Sequence, residues 1–170
     1  MDGLDVIVEF LNTVDQRSFS RHGQSHVGGE RLASPADLAE CDILTAGDEL
    51  GPEDLTDAIT LRTALRQSLS GEIDASKALA DYPLQLAPDH SGGLRIAAQS
   101  GRPWLDAIVE TVVVAVGRGE WSRVKLCAAP DCRWAFHDTS RSGRGRWCDM
   151  NICGNRHKTR VYRERRQQAG

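Results

Sequence analysis

The sequence predicts a mainly α protein: a helical N-terminal domain with one small β-hairpin, then a small C-terminal treble-clef-like module. Three observations predict this. Apolar residues recur at helical spacing through much of the first 117 residues. Four of the five cysteines fall beyond residue 126, in two identically spaced pairs. The charge also changes sign along the chain. Residues 1–120 hold nine Lys and Arg against twenty Asp and Glu, a net −11, whereas residues 121–170 hold twelve against four, a net +8. Gly117-Arg118-Gly119 marks the seam, which gives an acidic domain over 1–117 and a basic one over 118–170.

Composition sets the class. At 40% hydrophobic and 26% charged over 170 residues, the chain reads as a globular protein with one core and a small appended module. No apolar run approaches the roughly 20 residues of a membrane span. The opening MDGLDVIVEF carries Asp2, Asp5 and Glu9 and lacks the basic start of a signal peptide. The expected compartment is the cytoplasm, where thiols stay reduced.

The elements follow in order. Leu4, Ile7, Val8 and Leu11 fit a helical stripe, although Val6-Ile7-Val8 also suits a strand. Residues 16–33 show no period and several glycines, which predicts a loop; His22 and His26 lie in it, and outside a helix their spacing carries no metal reading. Ser34-Pro35-Ala36-Asp37 starts a helix, a capping hydroxyl before a proline at the first helical position. Leu38, Cys41 and Leu44 share its face, and Gly47 ends it. Pro52 opens the next helix, with Glu53 and Asp54 suited to its positive end. Leu55, Ala58, Ile59, Arg62, Leu65 and Leu69 form its stripe, and Gly71 stops it. YPLQLAP and GLRIAAQ, joined through Gly92-Gly93, predict the hairpin. Pro103 begins the last helix of this domain, apolar at Leu105, Ile108, Val109, Val112, Val113 and Val116.

Cys127 and Cys132 form one C-x4-C pair, and Cys148 and Cys153 the other. Two such pairs can close a tetrahedron of thiolates around one Zn²⁺, a structural site with no open position. Two disulfides would need an oxidising compartment, and an iron–sulfur cluster would use the same four cysteines. A zinc staple also explains how about fifty polar residues could fold with few apolar side chains. His137 and His157 are candidates to support the ligands rather than replace one. Trp134, Phe136 and Trp147 would cover the metal, with stacking on bases the alternative for either tryptophan.

The basic residues divide into two sets. Arg141, Arg144 and Arg146 lie between the cysteine pairs on what reads as a flexible hairpin tip. Arg156, Arg160 and Arg163 recur along one face of a C-terminal helix, flanked by Lys158, Arg165 and Arg166. A helix starting at Cys153 would turn His157 and Val161 toward the metal and the arginines outward. Guanidinium groups on such a face suit phosphates and guanine edges.

The segments WCDMNICGNRHKTRVYRERR and CAAPDCRWAFHDTSRSGRGR resemble the CGNR zinc finger family, whose name is spelled by Cys153-Gly154-Asn155-Arg156. Phe10 to Asp15, the Ser34 helix start and Leu61 to Arg66 resemble the ABATE domain that precedes such fingers. The resemblance implies a bacterial transcription regulator whose finger binds DNA. On this reading the first domain is a sensor, with a small-molecule effector, or a dimerisation module. In that first domain Asn12, Asp15 and Arg62 are the polar candidates for a pocket, against simpler roles as helix caps and an ion pair. Relatives carry a Gly-rich lead before the FLNTVD segment that is shorter here. Binding of structured RNA, or of protein, is the alternative for the finger. No nucleophile–base pair or open metal site is legible, so no enzyme is expected.

Overall fold

A computed structural model describes residues 3–21, 23–41, 50–71 and 79–168. Five α-helices are described: α1 (Gly3–Leu11), α2 (Pro35–Ala39), α3 (Pro52–Ser70), α4 (Pro103–Gly117) and α5 (Asn155–Gln168). Three two-stranded antiparallel hairpins lie between them: β1 (Ser18–Arg21) with β2 (Gln24–Val27), β3 (Leu84–Pro88) with β4 (Leu94–Ala98), and β5 (Val124–Leu126) with β6 (Ala135–His137). Helices outweigh strands, as the periodicity predicts.

The ambiguous opening run is a helix. It buries Leu4, Ile7, Phe10 and Leu11 against α3 and α4. Around it close Leu38 of α2, Ala58, Leu61 and Leu65 of α3, and Trp104, Leu105, Ile108 and Val109 of α4. At about 25 cal/mol per Å² of apolar surface removed from water, this cluster is the main stabilising term. The local stop and start signals act as expected. Ser34 and Asp37 form a reciprocal capping box at α2. Gly71 ends α3 at φ 77°, a left-handed conformation that favours glycine. The predicted hairpin is present in register, with Leu86 opposite Ile96.

Four expectations are corrected. Residues 16–33 are not a loop: they hold β1 and β2, with Phe19 opposite His26. The helix from Pro35 ends at Ala39, so Cys41 lies beyond it; Leu44 and Gly47 fall outside the described residues, as does His22. Val116 is exposed, and Trp104 and Ala115 take buried positions on α4 instead, because the packed face follows 3.6 residues per turn rather than the run of valines. The stripe on α3 is wider than predicted and buries Leu61, Ala64 and Arg66 as well as Arg62.

The core continues beyond residue 118. Val124 and Ala135, from β5 and β6, belong to the same cluster as Phe10 and Leu11. A second cluster surrounds the cysteines, with Ala129 buried and Trp134, Trp147 and Ile152 packed against it.

Candidate metal centre and nucleic-acid interface

Two tight turns present the cysteines. In the first, Cys132 and Arg133 both donate backbone N–H groups to the carbonyl of Ala129, and Arg133 takes a left-handed φ of 53°. In the second, the Asp149 carboxylate accepts from the N–H of Ile152, and its carbonyl accepts from Cys153 and Gly154. A π-helical turn, Met150–Gly154, delivers Cys153 and leads into α5, so Cys153 precedes the helix rather than lying in its first turn.

The four sulfur atoms of Cys127, Cys132, Cys148 and Cys153 all lie within 4.8 Å of one another. None forms a disulfide. Sulfur separations of 3.6 Å (Cys132 to Cys148) and 3.8 Å (Cys148 to Cys153) are those of a tetrahedral zinc site. Four ligands about 2.3 Å from one ion stand about 3.8 Å apart. The electrostatics agree. Backbone N–H groups of Ala129 and Cys148 point at the Cys127 sulfur and that of Trp134 at Cys132, an arrangement that suits thiolates. Without a cation, thiolates this close together oppose one another's ionisation. Cys127 is held low by hydrogen bonds from Cys132 and Cys148, while contacts with Cys127 and Cys132 force Cys148 up and burial pushes Cys153 up to about 12. A divalent cation removes this conflict by making all four thiolates favourable. The residues fit one structural zinc ion with four cysteine ligands, and Cys41 stands outside the site.

The surroundings brace this cluster. Arg156 pairs with Asp131 of the first turn, lies 3.9 Å over the ring of Phe19, and reaches to 4.0 Å of the Cys153 sulfur. It therefore faces the first turn and β1, not outward with Arg160 and Arg163. His157 packs on Trp147 at 4.8 Å between centroids. Arg17 lies 3.9 Å over Trp134, and Ser18 donates to the carbonyl of Asp131 at 2.9 Å. So β1, read from sequence as part of a loop, is seated on the cysteine module.

The basic loop is tied rather than flexible, and it is not a hairpin tip. Asp138, 4% exposed, accepts from Lys125 Nζ at 2.6 Å, Gly145 N at 2.6 Å and Ser140 N at 3.1 Å. Lys125 above all holds its carboxyl well below the usual carboxylate range. A Cβ on Gly145 would lie 2.8 Å from the Asp138 carboxyl carbon, so this close approach requires glycine. The loop returns so that Ala128 donates to the carbonyl of Arg146, and the Arg146 guanidinium lies 5.3 Å from the Trp147 ring centroid. Arg141, Arg144 and Arg146 are exposed on it. On α5, Lys158, Arg160, Arg163, Arg165 and Arg166 are exposed. A groove of about 710 Å³ brings Arg160 and Arg163 together with Trp147, Asn155 and Ser20.

The three pocket candidates of the first domain do not converge. Asn12 is buried, and both ends of its carboxamide pair with the backbone of Ala135. Asp15 accepts from Arg17 and is 2.9 Å from His26 Nε2. Arg62 donates to Thr13 and Glu30. Sequence reasoning missed Arg66, which is 6% exposed and donates to the carbonyls of Leu11 and Arg133 and to Gln16 Oε1. Burial, with the neighbouring Arg62 and Arg133 charges, pushes its guanidinium down to about 10. Two arginines four apart on an apolar helical stripe were the legible signal, since Arg is almost never buried unless paired.

Four closely set cysteines on two turns, followed by a basic helix, define a zinc finger. A family model for the CGNR zinc finger matches residues 123–166, and one for ABATE, described as "Putative stress-induced transcription regulator", matches residues 4–117. The chain belongs to the ABATE family, with a CGNR zinc finger following that domain. No curated protein matches it. Neither family is an enzymatic one. Among the described residues no helix is long and apolar enough to cross a membrane.

Proposed function

We propose that the protein is a cytoplasmic bacterial transcription regulator whose treble-clef-like finger binds DNA. The observation that carries this is the pair of exposed basic surfaces on one zinc-braced unit. Arg160 and Arg163 project from α5 beside Trp147, and Arg141, Arg144 and Arg146 stand on a loop that Asp138 holds in shape. Rigid elements order side chains before binding, so less conformational entropy is lost on contact. Of the predicted contacts, Arg160, Arg163, Lys158, Arg165 and Arg166 would meet the duplex from the helix, the loop arginines would meet phosphates, and Arg156 would hold α5 to the finger.

The test begins with selection of bound duplexes from a randomised pool, run beside an RNA pool. Binding is then titrated at several salt concentrations on the selected and a scrambled duplex. Neutralising a loop arginine should weaken both and lower the salt slope by about 1. Arg163→Ala should cost roughly 1–3 kcal/mol on the selected site and much less on the scrambled one. If Arg160→Ala and Arg163→Ala change neither affinity while zinc stays bound, the helix is not the reader and a protein partner becomes the better reading.

A further inference from the structure

A second polar cavity lies where the ABATE domain meets the finger. It measures about 350 Å³ and is lined by Arg62, Arg66 and Gln67 of α3, Gln16, Ser70 and Arg133, among others. Three guanidinium groups thus face one space whose lining, among the described residues, includes no acidic residue. Their charges are poorly matched. Arg62 pairs with Glu30, but among the described residues Arg66 and Arg133 form no ion pair. Among the described residues Arg66 donates only to neutral oxygens, those of Leu11, Gln16 and Arg133. Arg62 is 3% exposed, and its buried Nε has no hydrogen-bond partner among the described residues. A buried charge without a counter-charge is costly, and so is an unmatched buried donor.

We infer that this cavity is a binding site for a small organic oxyanion, a carboxylate or phosphate ester, held by Arg62, Arg66 and Arg133. Guanidinium forks match carboxylate and phosphate oxygens two at a time. Burial first, and then the charges of Arg62 and Arg133, lower the proton affinity of Arg66, and an anion between the three would relieve the second of these effects. The space exceeds what a bare phosphate needs, and Val14 and Leu126 offer apolar contact to a carbon skeleton. The depth of Arg62 and Arg66 excludes a duplex backbone as the occupant. Arg133 sits between the ligand Cys132 and Trp134, so an occupant would touch α3 and the first turn of the finger at once.

The test uses the full zinc-loaded chain and the Nε–H resonances of its arginines. Inorganic phosphate and succinate are titrated separately at constant ionic strength, with chloride as the control. Saturable shifts of the Arg62 and Arg66 signals with either probe, absent with chloride, uphold the site, and the stronger probe identifies the group preferred. No saturable shift with either probe, or equal shifts with chloride, overturns it. Arg66→Met risks misfolding, so the variant is Gln67→Glu, which puts a carboxylate beside the three arginines without removing packing. It should raise the thermal midpoint without added anion and weaken the better probe at least tenfold. An unchanged or lowered midpoint together with unchanged probe affinity would also overturn the inference.

Discussion

Asn12 and Ala135 are 123 residues apart in sequence, yet the Asn12 carboxamide pairs with both backbone groups of Ala135. Its Nδ2 donates to the Ala135 carbonyl at 2.9 Å, and its Oδ1 accepts from the Ala135 N–H at 2.8 Å. The side chain thus stands in for a neighbouring strand on the inner side of β6. All three residues of β6 pair with β5 on its other side. The pair joins the end of α1 to the finger.

Replacing Asn12 by Ala should therefore lower stability by about 1–3 kcal/mol, because it strands two buried backbone groups without adding strain elsewhere. Urea unfolding of the two proteins measures this. A midpoint unchanged within error would mean that water satisfies Ala135 in the variant.

Zinc removal should reach beyond the finger. A chelator should take about one zinc per chain, as should Cys148→Ser, and the helical signal should largely remain at room temperature. The thermal midpoint of that signal should nevertheless fall, because the partners of Asn12, Arg66 and Arg17 on Arg133, Trp134 and Ala135 depend on an ordered first turn. An unchanged midpoint would show that the two segments melt independently.

Arg156 and Arg163 should fail in different ways. Arg156 holds Asp131 and covers Phe19, so Arg156→Ala should speed zinc transfer to a colorimetric chelator severalfold. Arg163 is exposed, and Arg163→Ala should leave that rate unchanged. Equal rates for the two variants would place Arg156 with the surface set.

Asp15 should contribute a pH-dependent increment. Hydrogen bonding from Arg17 holds its carboxyl well below the usual range, against an opposing effect of burial and with help from His26. The folded value is thus lower than the unfolded one of about 3.9, so the increment is complete above that pH and is lost as pH falls through the folded value. The stability difference between wild type and Asp15→Asn should stay constant from pH 8 to about 5 and shrink below about 4. Urea midpoints of both proteins at each pH give the difference, with zinc loss common to the two. A difference that persists unchanged at the lowest pH would remove Asp15 from the account.

The sequence by itself determined what depends on short range. Each C-x4-C pair is one turn of chain, so spacing and thiol chemistry together define a metal site before any fold is known. The helix starts at Ser34 and Pro52 and the stop at Gly71 were equally legible, because capping is satisfied within four residues. Only the tertiary structure decided the roles of the polar residues. Residues 16–33 have no pattern of their own, and β1 is instead seated by Ser18 on Asp131, Arg17 on Trp134 and Phe19 beneath Arg156. Arg156 belongs by spacing to the outward row of α5, but its guanidinium pairs with Asp131 on a turn 25 positions upstream. Asn12 and Arg66 become buried because the finger's backbone offers them partners, and a buried polar group needs a partner whose position no local window contains.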